Sequence, residues 1–144
     1  MTVYRSCFDG VAAANGAAYA TFNSPTRLSL VHEMQAFNLS STTTAKIVLG
    51  KPANTPVATT TITPLGPTAQ AAATARMGTA WSTAPTAPTS FMHGVPLAGV
   101  FGAGVVWKWA PDEYLQVAIN EWLVWWNNGG ATAGQPMLSV LYEE

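Results

Sequence analysis

Charge is what this sequence has least of. Asp, Glu, Lys and Arg make up 9% of its 144 residues, against about 25% in ordinary soluble domains. Six basic and seven acidic side chains leave a formal net charge of −1. No basic patch able to grip a phosphate backbone can be assembled from so few, so nucleic acid is not an expected partner. Between Met77 and Trp107 there is no charged residue at all. Pro85, Pro88 and Pro96, with many Thr, Ser and Gly, interrupt that stretch. No run of about 20 apolar residues, the length a membrane helix needs, is left. Cysteine is nearly absent too. Cys7 stands alone, which excludes an intrachain disulfide and a cysteine zinc cluster. The opening "MTVYRSCFDG" lacks the apolar core of a signal peptide, so the chain is expected in a reducing cytoplasm.

Catalytic groups are equally sparse. His32 and His93 lie far apart in sequence with no recognisable third ligand nearby, so a zinc site is not expected. His32 is expected to be a hydrogen-bonded core histidine. Asp112 and Glu113 could pair with Asp9 or Glu121 as catalytic acids, but adjacent acids after Pro111 are more simply a solvated turn. There is no Gly-x-Ser-x-Gly elbow and no phosphate loop. In "GVFGAGVVW" (99–107) the glycines lead into a strand, not the helix N-terminus that would hold a phosphate. Asn38-Leu39-Ser40 matches a glycosylation sequon, which has no meaning without secretion. Neither an enzyme, a cofactor nor a metal is expected.

What the chain does have is short alternating segments. "VYRSCF" (3–8) sets Tyr4, Ser6 and Phe8 against Val3, Arg5 and Cys7, and Asp9-Gly10 turns it. "AAYATF" (17–22) is a short strand. "TRLSLVHEMQAFN" (26–38) sets Leu28, Leu30, His32, Met34 and Ala36 on one face, and "TTTAKIVLG" (42–50) follows as another strand. Residues 51–90 change character. Thr, Ala and Pro dominate there, with 59–63 extended, a turn of helix around 69–73, a strand at 73–82 and an extended arm or edge at Pro85 to Pro88. "GVVWKW" (104–109) puts Val105, Trp107 and Trp109 on one face. "APDEYLQV" (110–117) is a proline turn and a short extended piece. "MLSVLYEE" (137–144) opposes Leu138, Val140 and Tyr142 to Met137, Ser139 and Leu141. Short strands with turn signals every 8–12 residues or so predict an all-β fold. The expectation is one domain over 1–144, an antiparallel β-sandwich or jelly roll, with 51–90 as an extended arm or long loops.

"EWLVWWNNGG" (121–130) is the most informative stretch. Asn and Gly accept positive φ cheaply, so the segment reads as a strand arriving at a hairpin. Trp122, Val124 and Trp126 then face one way, and Leu123 and Trp125 the other. One face can enter the chain's own core, and something else must cover the second. Six tryptophans are many for a sandwich core alone, and core plus subunit interface accounts for them best. A partner or ligand surface is the next possibility. A sugar platform with Asn127, Asn128 and Glu121 is the last. Low charge with 49% hydrophobic residues points the same way, to a surface covered in an assembly rather than an isolated, aggregation-prone chain.

"VYRSCFDG" at the start, "VVWKWAPDE" (105–113) and the closing "LSVLYEE" (138–144) together resemble small structural proteins encoded in the head-gene regions of tailed bacteriophages. The resemblance covers both ends, about half the chain. It departs at "WLVWW", which is denser in Trp than the family pattern. It implies a β-sandwich capsid decoration (cement) protein of the virion. Such a protein is made in the bacterial host cytoplasm and sits on the capsid surface, with itself (as a homotrimer) and the major capsid protein as partners and no membrane or nucleic acid. The interface residues expected are Trp107, Trp109, Trp122, Trp125, Trp126, Pro85 and Pro88, with 51–90 as an arm reaching a neighbour. A tail-associated virion protein and a lectin-like carbohydrate-binding module are the alternatives.

Overall fold

A computed structural model describes residues 2–40, 42–66, 73–129 and 134–144. Eleven strands, all paired antiparallel, form two sheets. The front sheet has the order β1 (Val3–Asp9), β11 (Pro136–Glu143), β3 (Ser29–Asn38), β8 (Gly104–Lys108), with β9 (Leu115–Val117) also paired to β3. The back sheet runs β5 (Val57–Ile62), β6 (Arg76–Thr83), β2 (Ala18–Ser24), β10 (Glu121–Asn127), β4 (Ala45–Pro52), β7 (Pro88–Leu97). Setting aside the β5–β6 pair and β9 leaves eight strands of the eleven. Numbered afresh, these run 1-8-3-6 in one sheet and 2-7-4-5 in the other, the connectivity of a jelly roll. The expected sandwich is therefore present as a single two-layer domain.

Alternation places the core where the sequence is regular. Tyr4, Leu138, Val140 and Tyr142 of the front sheet meet Tyr19, Phe22, Leu49, Leu123 and Trp125 of the back sheet. Tyr142 stacks beside Tyr4 at 5.8 Å and takes Phe22 edge-on at 5.0 Å, both favourable ring geometries. In β3 the expected face is only half right. Met34 and Ala36 are buried, but further upstream Val31 and Ser29 are buried in place of Leu28 and Leu30. Leu141 pairs with Glu33 while Tyr142 pairs with Val31. His32 is thus the extra residue of a β-bulge, and the bulge reverses the alternation.

The Asn-Gly turn is not a hairpin. β10 belongs to the back sheet and β11 to the front, so the chain after Asn127 crosses between layers. Asn127 shapes that exit. Its buried side-chain amide donates to Ala13 O at 2.9 Å, and its Oδ1 accepts from Gly129 N at 3.1 Å. The helical turn expected at 69–73 falls outside the described residues, apart from a buried Ala73.

The described residues of this segment, 51–66 and 73–90, form no projecting arm, and this corrects the largest expectation about them. They supply β5, β6 and the start of β7, and Pro85 and Pro88 are buried. The connections 53–56 and 84–87 both cross the back sheet, because β4 and β7 lie at one side of it and β5 and β6 at the other. Asn54 ties the two crossings together. Its Nδ2 donates to Ala84 O and its Oδ1 accepts from Thr86 N, each at 2.9 Å. Trp81 packs on Ala18, Val48, Val124 and Trp126 and donates to Thr21 Oγ1 at 3.1 Å. Gly50 lets Pro88 close in, since a Cβ there would stand 2.7 Å from Pro88 Cβ. The second face of β10 is therefore covered by its own chain. Val124 is fully buried and Trp126 is 7% exposed, so no neighbouring subunit is needed to hide it.

Candidate interaction surface

Three of the charged residues, Arg5, Glu33 and Lys108, meet on the outer face of the front sheet. Register sets Arg5, Leu141, Glu33 and Lys108 in one row across β1, β11, β3 and β8. Glu33 lies 3.8 Å from Arg5 and 3.2 Å from Lys108 and accepts a hydrogen bond from Gln35. Arg5 is 48% and Lys108 71% exposed, so these pairs set register more than stability. His32 is not the hydrogen-bonded core residue expected. The bulge turns it outward, where it stacks on Tyr114 at 3.9 Å with Nε2 3.6 Å from Glu143. Its Nε2 has no hydrogen-bond partner. Among the described residues no three His, Cys, Asp or Glu come together as a metal site.

Glu121, a candidate catalytic acid by sequence, is occupied otherwise. It is bonded to Lys51 at the end of β4 and accepts from Ala118 N at 3.0 Å, bracing the turn where Asn120 takes φ 63°. Partial burial pushes its carboxyl up. The Lys51 hydrogen bond, the Ala118 amide and the Lys51 charge outweigh that and hold it below the usual carboxylate range. A lowered folded-state pKa means that the unfolded chain binds the proton first as pH falls. The stabilisation is present above the ordinary carboxylate pKa and fades as pH drops through the lowered one. Glu121→Gln is accordingly expected to flatten the acid limb of stability, read as urea midpoints between about pH 3 and pH 7.

The opposite situation holds along one side of the sandwich. The uncharged stretch from Met77 to Trp107 becomes β6, the 84–87 crossing, β7, the 98–103 turn and most of β8. β7 is an edge of the back sheet, and β8 lies at the edge of the front sheet. Between them His93 stacks on Trp107 and meets Trp109 edge-on, each at 5.6 Å, which closes the gap between the layers. Phe91 (49% exposed), Met92 (37%), Val100 (61%) and Phe101 (69%) lie at the surface of β7 and the 98–103 turn, while Val106 (40%) lies on the outer face of the front sheet, paired with Gln35 and two residues from Lys108. The 98–103 turn is fixed, not loose. Asn38 donates through its Nδ2 to Ala98 O at 2.8 Å, its backbone carbonyl accepts from Gly102 N at 2.8 Å, and its N–H donates to Ala103 O at 2.7 Å. Gly102, at φ 83°, permits the reversal that presents Phe101.

Of the residues expected at an interface, Trp125 and Trp126 are inside the chain's own packing, and Pro85, in the 84–87 crossing, and Pro88, at the start of β7, are buried. These four are corrections: their apolar surface is already used within the monomer. Trp122 is half-buried at the start of β10, and Trp107 and Trp109 are half-buried along the uncharged side. Sequence reasoning missed Phe91, Met92, Val100, Phe101 and Val106. The signal was the charge-free stretch itself, whose two strands only the fold brings to one side. A cleft of about 490 Å³ lies between the beginning of β4 and the end of β7, at Lys46, Pro96 and Leu97. Its polar side chains are the Thr44 hydroxyl and the Lys46 amine. Comparison with protein-family models, with curated proteins and with solved structures returns no match to this chain.

Proposed function

We propose that the chain is a structural protein of a phage particle, a decoration protein that binds the capsid shell as an oligomer and performs no catalysis. One observation carries this reading: the charge-free stretch from Met77 to Trp107 lays exposed Phe91, Met92, Val100 and Phe101 along β7 and the 98–103 turn. Apolar surface contributes about 25 cal/mol per Å² removed from water, and a face of about 800 Å² per partner suffices for a specific contact. Repeated over a shell under pressure from packaged DNA, modest contacts act together, because all must break before the shell opens. The segments that carry the resemblance to phage head proteins form β1, β8 with its following turn, and β11, all in the front sheet. Jelly rolls serve in viral shells and in lectins alike, so the fold supports either class without choosing. A sugar platform needs an open tryptophan face, and all six tryptophans are half-buried or buried.

The test is copy number in purified particles of the phage that encodes the chain, by quantitative mass spectrometry against the major capsid protein. A count on the scale of the shell protein is expected. A handful of copies would move the protein to the tail or a vertex, and absence from particles would end the virion reading.

A further inference from the structure

We infer that the segment just before β6, together with Ser29 of β3, is a carboxylate-binding site, and that the chain closes one end of its sandwich by filling this site with Glu144. The donors come from both layers. Thr74 N donates to Glu144 Oε2 at 2.8 Å, and Ala75 N donates to Oε1 at 2.6 Å. Thr74 Oγ1 lies 3.1 and 3.2 Å from the two oxygens, and Ser29 Oγ donates to Oε1 at 3.5 Å. Two successive backbone N–H groups, one for each oxygen, suit a group with two equivalent acceptors. Among the described residues no Lys, Arg or His comes within ion-pair distance of this carboxylate. Neutral donors therefore hold it. Arg76 supports them from the carbonyl side, its guanidinium donating to Ala73 O and Ala75 O. The Ala73–Thr74 peptide thus has a cation at its carbonyl and an anion at its N–H, and each strengthens the other's bond.

Other contacts place both halves of the site. The Glu144 backbone exchanges hydrogen bonds with Thr2 at 3.0 and 3.2 Å, continuing the β1–β11 ladder past the Val3–Glu143 pair. Behind Ser29, its Oγ is hydrogen-bonded to that of Ser24, and both serines are fully buried. Ala73 and Ala75 are buried in the main core with Tyr142, whose hydroxyl donates to Ala75 O at 3.5 Å. Residues 73–75 are therefore a strap over that end of the core, tied at its centre by one side chain. Without the carboxylate, two part-buried N–H groups lose their acceptor, a larger loss than the bonds are worth when made. A small carboxylate from solution carries the same two oxygens and can take the place of the side chain.

This inference does not depend on the virion reading, since it is tested on the purified full chain. Glu144→Ala, which vacates the site, is expected to lower the melting temperature at pH 7 by about 5 °C. Sodium formate should restore part of that loss with a saturating dependence, beyond what equal sodium chloride gives, as a ligand of the folded state alone does. The parent chain, with its site filled, reports the general effect of each salt. Hydrogen exchange at the Thr74 and Ala75 amides should quicken about tenfold in Glu144→Ala and slow again in formate. Glu144→Gln turns an amide toward the same donors, so it should melt below the parent and draw no excess from formate. A Glu144→Ala variant that melts with the parent would overturn the proposal. So would a formate gain no larger than the parent's, or one that Glu144→Gln shares.

Discussion

Trp125→Ala is expected to cost about 3–5 kcal/mol, the range for emptying the site of a large buried ring. That is a large part of the 5–15 kcal/mol by which a domain is ordinarily stable. Trp125 has no exposed surface and lies in the main core on the central strand of the back sheet, between β2 and β4. Its neighbours are held by backbone pairing on both sides, so the cavity cannot collapse cheaply. Urea denaturation followed by far-ultraviolet circular dichroism gives the number. Trp125→Phe should cost much less, because it keeps most of the ring and removes an indole N–H that is buried without a partner. Any loss of oligomer in Trp125→Ala would follow from unfolding, since this ring touches no outer surface.

Asn38→Asp is the second large effect, expected at about 2–4 kcal/mol near neutral pH although the shape hardly changes. The Asn38 side-chain amide donates to Thr43 O and Ala98 O, both at 2.8 Å, while its Oδ1 accepts from Ser40 N at 2.9 Å. An acid in its place loses both donors and aims a carboxylate at two carbonyl oxygens. Burial and repulsion together raise the folded-state pKa of the new group above its unfolded value. The deficit is thus smallest below about pH 4 and grows as pH rises through the carboxylate range. Thermal melts across that window test the sign. Because Asn38 anchors the 98–103 turn, the same variant should also loosen the presentation of Phe101.

The legible parts of this fold were those where alternation ran uninterrupted. β1, β8 and β11 bury the residues that their period of two assigns. β3 misled because its apolar alternation continues in sequence through Leu30, His32 and Met34, while the bulge at His32 shifts its phase in space. A bulge depends on the partner strand's register, which no single strand records. β10 was rightly seen to be apolar on both faces, but its cover was sought in another subunit. The cover is the Thr, Ala and Pro segment, whose composition resembles exposed linker. Proline serves well there, because its ring is apolar and a crossing chain needs no ladder N–H. The interaction surface was legible as a missing property, the absence of charge from Met77 to Trp107. Its shape was not, because adjacency of β7 and β8 is a matter of strand order.

That strand order also dictates when the molecule can exist. β11 lies between β1 and β3, and β10 lies between β2 and β4, so both sheets take a middle strand from the residues after Asn120. A ribosome adding about 5–20 residues per second has delivered every flanking strand before either centre appears. Until then β1 and β3 have nothing to pair through, and neither do β2 and β4. Folding must wait until β10 and β11 have been made, and a product stopped before Glu121 is two frames with no centre, its apolar faces open to whatever chain lies nearest.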